Sequence, residues 1–336
     1  MIPTPPTISV ALPTCDGARH LREALSGLRL QGEVPFDLIV SDDRSTDDTL
    51  AIIGEEFSDR ARISVNSERL GLAGNWNRCV ALSRTPLVAV FHQDDLMRPG
   101  HLAAHLAAFA ARPDLGLIAS ATDVIDHAGR EVPRSIVGRG GLGPTDRVFD
   151  AGQSTPELAV ENPLRCSGAT IAASAHAAVG GFDPSYRYVV DWDFWLKVGR
   201  VRPVAWLARP TVAIRWHLAS ETHRFKTGLA DLEETSRLLD DLARRDGPTL
   251  SNSRQLRRKA DRRLARAYLN RAHDALKGGD AHLARIALGR AWLLSPRVVA
   301  TCALDPRLLA QMATLAASRG LERFSGWSSA PTRDRI

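Results

Sequence analysis

The sequence predicts an α/β protein: a mostly parallel sheet with flanking helices, followed by a helical C-terminal region. Three observations predict it. Apolar runs of about five residues alternate with stretches of helical spacing along the first third of the chain, the pattern of βαβ units. Three of these runs end in clusters of polar and acidic residues, and open parallel sheets bind their ligands beyond the carboxyl ends of the strands. From Phe225 onward the periodicity is helical and the composition shifts to Arg, Ala and Leu.

Taken in order, Ile8 to Leu12 is a short β-rich run broken by Pro13-Thr14, and Leu21, Leu25 and Leu28 then recur at helical spacing within Ala18 to Leu30. Phe36 to Val40 is a second buried strand ending in Ser41-Asp42-Asp43. A helix-start signal follows at Ser45-Thr46-Asp47-Asp48, continued by Leu50, Ile53 and Phe57. Ile63 to Val65, Leu87 to Phe91 and Leu115 to Ala121 are further strands, with helices over Asn75 to Leu82 and from Pro99 to about Ala111. Residues 130–165 are rich in Gly and Pro and read as a long loop near the site. Strands are expected at Cys166 to Ala173, Val204 to Leu207 and Val212 to Trp216, with a short helix over Asp191 to Val198. The expected domains are 1–224, a basic helical region at 225–320 and a loosely ordered tail at 321–336.

Composition narrows the class. With 44% apolar and 24% charged residues, the chain has the balance of a globular protein rather than a disordered one. No run of eighteen apolar residues and no basic-then-apolar start is found, so the reading is a cytoplasmic chain without transmembrane helix or secretory signal. Cys15, Cys79, Cys166 and Cys302 form no CxxC pair and read as reduced thiols. The charge is uneven: residues 225–336 hold 21 Lys and Arg against 12 Asp and Glu, net +9, leaving 23 against 26 in the first 224, net −3.

The stretch VAVFHQDDLMRPG concentrates the chemistry. Asp94 and Asp95 stand side by side after a buried strand, facing a second tandem pair at Asp42-Asp43. Helix capping explains one such Asp. Two repel each other unless a cation neutralises them or one is protonated. A hard divalent ion, Mg2+ or Mn2+, suits oxygen ligands and bridges carboxylates to a diphosphate.

Six stretches carry a family likeness: ISVALPTCDGARHLREALSGL, DLIVSDDRSTDDT, NSERLGLAGNWNRCVALS, VFHQDDLMRPGHL, VGGFDPSYRYVVDWDFWLKV and AIRWHLAS. In this order and spacing, over about residues 7 to 222, the chain resembles the family 2 glycosyltransferases, whose nucleotide-diphospho-sugar-binding domain has the Rossmann-like GT-A fold. The resemblance implies a role for each matching position. Pro13, Thr14 and Asp16 border the nucleotide, Asp43 hydrogen-bonds the base, and Asn75 and Asp94 join the nucleotide-sugar contacts. Asp95 is the direct metal ligand, His217 a further one, and Asp191 the catalytic base. His217 also reads as an ordinary histidine at a strand end, and Asp191 as a first-turn acid stabilised by its helix dipole. Asp193 competes with Asp191, and Trp192 and Trp195 are candidates to wall the sugar or acceptor pocket. The chain departs from the family at Cys15 and Asp16, where an aromatic and an asparagine are usual, at Val190 in place of a glutamate, and at Arg44 in place of a small residue.

The function implied is inverting transfer of a sugar from a nucleotide-diphosphate sugar to a glycan or glycolipid acceptor, in polysaccharide or cell-envelope synthesis, with Mn2+ or Mg2+ as cofactor. The alternatives are a catalytically silent nucleotide-sugar-binding or scaffold protein of the same fold, and a nucleotidyltransferase; the second needs a glycine-rich phosphate loop after the first strand, which ALPTCDGARH lacks. The basic helices read either as a solvated cap or as a surface in peripheral contact with anionic membrane. They carry no aromatic platform interleaved with the arginines, so nucleic acid is not an expected partner.

Overall fold

β1 (Ile8–Thr14) is buried along its whole length, which is why ISVALPT reads as a continuous run rather than an alternation. It pairs in parallel with β2 (Phe36–Asp42) on one side and β4 (Leu87–Val90) on the other, and β3 (Ala61–Val65) adds a further parallel strand beyond β2. The chain thus winds outward from β1 to β3 and returns to the opposite side of β1 for β4. That reversal opens a crevice between the carboxyl ends of β1 and β4, where open α/β sheets place ligands.

The computed structural model of the chain describes residues 7–32, 34–133, 141–217, 220, 225–248, 250 and 252–302. They form two compact units divided between Arg224 and Phe225. The expected tail at 321–336, and the part of the helical region from 303, lie outside the described residues. In the first unit the sheet continues past β4 with β8 (Ala169–Ala172), antiparallel to β4 and to β6 (Leu117–Ile125). β9 (Val204–Arg215) lies parallel to β6, and the short β5 (Leu96–Met97) and β7 (Arg147–Phe149) pair antiparallel with β9. The half built on β1 to β4 is therefore parallel and the other half mixed.

Helices α1 (Ala18–Arg29), α2 (Thr49–Phe57), α3 (Gly71–Leu82), α4 (His101–Ala111), α5 (Thr155–Leu158), α6 (Ala173–Val179) and α7 (Val190–Val201) accompany the sheet. α1 shows why: Leu21, Ala24, Leu25 and Leu28 form its buried face and join Val10, Leu12, Leu38, Val40 and Phe91 in one core cluster. Each of the Leu, Val and Phe side chains contributes roughly 1.5–3 kcal/mol on burial. The start of α1 is capped from outside: Gly17 N donates to Thr49 Oγ1 (2.8 Å) and Ala18 N to Asp47 Oδ2 (3.0 Å).

Several boundaries differ from the sequence expectation for identifiable reasons. α3 begins at Gly71 rather than Asn75, because Asp43 on the neighbouring strand end caps it. The expected strands at Val204 to Leu207 and Val212 to Trp216 are one strand, β9, with register shifts near its Pro210. The long loop of 130–165 contains β7 and α5. Cys166–Gly168 is a single 3-10 turn ahead of β8, and this turn enters the site.

The second unit holds α8 (Ala230–Arg245), α9 (Ser253–Lys277), α10 (Ala281–Leu294) and α11 (Pro296–Cys302). α9 and α10 bury alanines, among them Ala265, Ala272, Ala284, Ala287 and Ala291, small side chains that let the two backbones approach closely. Arg271 grips Asp231 with two hydrogen bonds (3.1 and 2.8 Å) and ties α9 to α8. Among the described residues no helix is long and apolar enough to cross a membrane.

Gly17 marks the tightest backbone requirement at the crevice. The Gln93 amide bridges β1 to the chain after β4, its Oε1 accepting Cys15 N–H and its Nε2 donating to Cys15 O, both at 3.0 Å. A Cβ on Gly17 would stand 2.1 Å from Gln93 Oε1. Gly17→Ala is expected to displace that amide and to cost about 1–3 kcal/mol through unpaired backbone groups; a urea melt with an unchanged midpoint contradicts the bridge.

Candidate active site

β4 delivers its polar cluster directly into the crevice. The chain leaves Val90 through Phe91, fully buried, and then presents His92, Gln93, Asp94 and Asp95. Asp95 is 2% exposed. Its Oδ1 accepts the backbone N–H of Arg215 (2.9 Å) and its Oδ2 accepts Ser167 Oγ (2.5 Å). Ser167 Oγ also accepts the His92 N–H (3.1 Å), so one hydroxyl on the 3-10 turn holds both ends of the four-residue tip. Asp94 Oδ2 is paired with His217 Nε2 at 2.8 Å.

Arg215 underpins this arrangement. Its side chain has no exposed surface. Nε donates to Asp94 O (2.9 Å), Nη1 to the carbonyls of Asp126 (3.2 Å) and His127 (3.5 Å), and Nη2 to Glu23 Oε2 (2.6 Å). One residue at the end of β9 thus grips the Asp94–Asp95 peptide twice, by its backbone and by its guanidinium. A buried guanidinium is tolerated because nearly all of its donors are engaged.

The electrostatics separate the two carboxyls. Burial, and then the neighbouring Asp94 charge, push Asp95 up to about 8. Burial also acts against Asp94, but the His217 hydrogen bond and the nearby His92 outweigh it and hold Asp94 below its ordinary value. Burial lowers His92 as well, against the opposing pull of the Asp94 charge, which favours the neutral ring that ligates metals. The donor set fits a hard divalent cation: His92, Asp94 and Asp95 offer ligand atoms all within 4.8 Å of one another. The buried ring nitrogens His92 Nε2 and His217 Nδ1 have no hydrogen-bond partner among the described residues. His217 is not in this cluster; it reaches it through Asp94.

The Asp42-Asp43 pair is different: its carboxylates are taken up by hydrogen-bond donors of the protein. Asp42 Oδ1 accepts Thr14 Oγ1 (2.8 Å) and Ser45 Oγ (2.6 Å), and its Oδ2 accepts Ser45 N (2.8 Å). Asp43 Oδ1 accepts Asn66 Nδ2 (2.9 Å) and Leu70 N (2.7 Å), and its Oδ2 accepts Gly71 N (2.9 Å). Hydrogen-bond donors and the N-terminus of α3 supply the positive potential that a cation would otherwise provide. Asn75 is buried and donates to Ser41 O (2.9 Å) and Thr14 O (3.3 Å), strapping β1 to β2, while its Oδ1 accepts Asn66 Nδ2 (3.0 Å). Pro13 and Thr14 are buried beneath this network. Asp16 is exposed at the crevice rim with φ 47°, a left-handed conformation that Asp tolerates better than most residues. It binds Thr46 N (2.7 Å) and Arg69 Nη2 (2.9 Å).

Asp191 lies in the first turn of α7 and is half-buried. Its Oδ1 accepts Trp192 N (2.7 Å) and Asn162 Nδ2 (3.1 Å); its Oδ2 accepts no hydrogen bond among the described residues. Burial raises its carboxyl to about 6 against the opposing charge of Arg165. Asn162, which holds Asp191, and Ser167, which holds Asp95, are five residues apart on one segment, so the two anchor points lie within roughly 18 Å of each other. Both carboxylates act electrostatically on Cys166 between them. Asp193 is instead ion-paired to Lys197 at 2.6 Å. The expectation that Trp192 and Trp195 wall a pocket is corrected: Trp195 is fully buried against Phe182 and Phe194, and Trp192 is 7% exposed with its Nε1 on Leu158 O.

Residues 9–157 match the profile described as glycosyl transferase family 2. This segment is a family 2 glycosyltransferase domain. Asp191 and His217 lie beyond the matched stretch. An uncharacterized protein of Mycobacterium tuberculosis is 26% identical over 246 residues, 70% of this chain and 76% of that one. S. aureus TarS 1–349, solved in complex with UDP-GlcNAc, superposes with a TM-score of 0.62 at 16% identity, covering 98% of this chain and 94% of TarS 1–349. The mannosyltransferase PcManGT from Pyrobaculum calidifontis, solved with GDP-Man and Mn2+, gives 0.56 at 17% identity over 97% of this chain and 84% of its own. At these identities the glycosyltransferase structures share the GT-A fold.

Gln93, Asn66, Asn162, Ser167 and Arg215 were not singled out from sequence. Gln93 and Arg215 carried a signal, adjacency to Asp94 and His217. Asn66 opens one of the six family-like stretches, whereas Asn162 and Ser167 carried no signal, being polar residues in a loop or in a stretch read as a strand. Arg215→Met is expected to cost about 1–3 kcal/mol, because three part-buried carbonyls lose a charged donor, whereas Glu23→Gln, at the half-exposed end, costs under about 1 kcal/mol. Equal effects of the two changes in chemical denaturation contradict the assignment of the grip to Arg215.

Proposed function

We propose that the chain is an inverting glycosyltransferase, moving a sugar from a nucleotide-diphosphate sugar to an acceptor hydroxyl in cell-surface polysaccharide or glycolipid synthesis. The observation that carries the reading is the arrangement of two unlike carboxyl sites on one short segment, a gripped acidic cluster held through Ser167 and a half-buried Asp191 held through Asn162. The occupants of the related structures, UDP-GlcNAc in TarS and GDP-Man with Mn2+ in PcManGT, are the ligand class we assign to the crevice.

Asp191 is the base. Its Oδ1 is fixed by Trp192 N and Asn162, which leaves Oδ2 to take the acceptor proton, and a carboxyl at about 6 is ionised yet basic near neutral pH. The acceptor oxygen bonds to the anomeric carbon from the face opposite the departing diphosphate, whose bond to that carbon breaks; one displacement inverts the centre. Asp95, Asp94 and His92 would hold the divalent cation, with His217 supporting Asp94. A bound cation supplies positive charge where the leaving diphosphate gains negative charge. At the nucleotide end Asp43 Oδ2 accepts a single hydrogen bond and retains capacity for a base N–H. Pro13, Thr14, Asp16 and Asn75 shape that end. The acceptor is a glycan or glycolipid, and the chain works in the cytoplasm, peripheral to the membrane.

Incubation with a panel of nucleotide sugars and Mn2+ is expected to reveal slow hydrolysis of one donor; release of pyrophosphate instead would mark nucleotidyl transfer. With that donor, Asp191→Asn is expected to lower transfer about 10²–10⁴-fold while leaving nucleotide binding intact, and wild-type kcat/KM is expected to fall as pH drops below about 6, where Asp191 gains a proton. Normal turnover of the variant, or a profile flat to pH 5, removes Asp191 from the role. Asp95→Ala is expected to abolish Mn2+ binding seen by electron paramagnetic resonance; retained binding sinks the metal assignment.

A further inference from the structure

α10 carries an outward face with an unusual composition. Its sequence, AHLARIALGRAWLL, contains no acidic residue. Ala284, Ala287 and Ala291 are buried, and the opposite side exposes His282, Arg285, Ile286, Gly289, Arg290, Trp292 and Leu293. The exposure is large: Leu293 77%, Trp292 54%, Ile286 40%. Two residues beyond the end of that helix, α11 begins and exposes Arg297. Beside it a groove of about 430 Å³ is lined by Arg237, Arg244 and Arg290 against Glu233 and Asp240, with Tyr268 and Leu293 among its apolar surfaces. Arg290 and Leu293 belong to both groove and face.

Three large apolar side chains on one helical face are costly to leave in water. The side chains flanking them set the chemistry of a partner. Arginines with long apolar stems, a tryptophan with one polar edge and no carboxylate along the helix are the composition of a helix lying in a bilayer interface, with the rings and aliphatic groups at the acyl boundary and the guanidinium groups at lipid phosphates. The excess of +9 over residues 225–336 has the sign that anionic lipid attracts. Building on the membrane-peripheral part of the function proposed above, we propose that the outward face of α10 docks on an anionic lipid bilayer, with Ile286, Trp292 and Leu293 entering the interface and Arg285, Arg290 and Arg297 meeting the phosphates.

The test is sedimentation of the full chain with vesicles of phosphatidylglycerol and phosphatidylcholine, or of phosphatidylcholine alone. Binding is expected to the anionic vesicles and to be weakened by salt. The double change Trp292→Ser and Leu293→Ser is expected to lower partitioning at least about tenfold, and Arg285→Gln with Arg290→Gln to lower it similarly, each without changing the melting temperature or donor hydrolysis. Donor hydrolysis is read separately, so failure of docking and failure of the transferase reading are distinguishable. Wild-type binding that is equal on neutral and anionic vesicles, or absent, overturns the proposal. So does a serine variant that sediments like wild type while melting lower, since protein rather than lipid then covers the face. A concentration-dependent mass in light scattering that the serine variant abolishes overturns it in favour of a second copy of the chain.

Discussion

The site depends on how the Asp94–Asp95 peptide is held. Two adjacent carboxylates at the end of a buried strand repel each other and lose hydration, and left to themselves they would protonate or swing apart. Here the strand end is clamped from three directions: Arg215 binds the Asp94 carbonyl and the Asp95 carboxylate, Ser167 binds Asp95 and the His92 N–H, and His217 binds Asp94. The clamps come from β9, from the turn before β8 and from the chain just past β9. The mixed half of the sheet therefore serves a purpose at the carboxyl ends of the parallel half, by bringing these residues beside β4.

The two tandem aspartate pairs show what a cation is and is not needed for. Asp42 and Asp43 sit among hydroxyls, amides and helix N–H groups, which neutralise them by ordinary hydrogen bonding. Asp94 and Asp95 accept fewer bonds, and Asp95 is held at about 8. A buried carboxyl with so high a proton affinity also favours a divalent ion, which removes the penalty that burial and Asp94 impose. The pair engaged by hydrogen bonds ties the ends of β1 and β2 to α3, and the pair still short of positive charge is the one with metal geometry.

Much of this was legible in the sequence. The parallel strands declared themselves because burial on both faces leaves uninterrupted apolar runs, and the acidic tips because polar residues cannot continue such runs. The mixed half was harder to read. β8 is four residues long, β5 two, and their pairing partners are distant in sequence, so no local pattern announces them. That the hydrogen bonds of Asp43 and Asn75 link strand ends and cap α3 was not legible, because sequence shows that a polar side chain is present but not which donors surround it. Trp192 and Trp195 were misplaced for a related reason. On a helix buried on several sides, spacing does not tell which ring faces a cavity and which faces core. Ser167 and Arg215 act across the sheet, a relation carried only by topology.

In the function proposed above, the tip held by Arg215 and Ser167, and not the Asp42-Asp43 pair, receives the divalent ion that accompanies the donor diphosphate. Anomalous diffraction at the manganese edge, from crystals grown with Mn2+ and a nucleoside diphosphate, addresses it most directly. A single strong peak against the carboxylates of Asp94 and Asp95 is the predicted result. A peak at Asp42 and Asp43, or none beside Asp95 while the nucleotide is clearly bound, would contradict it.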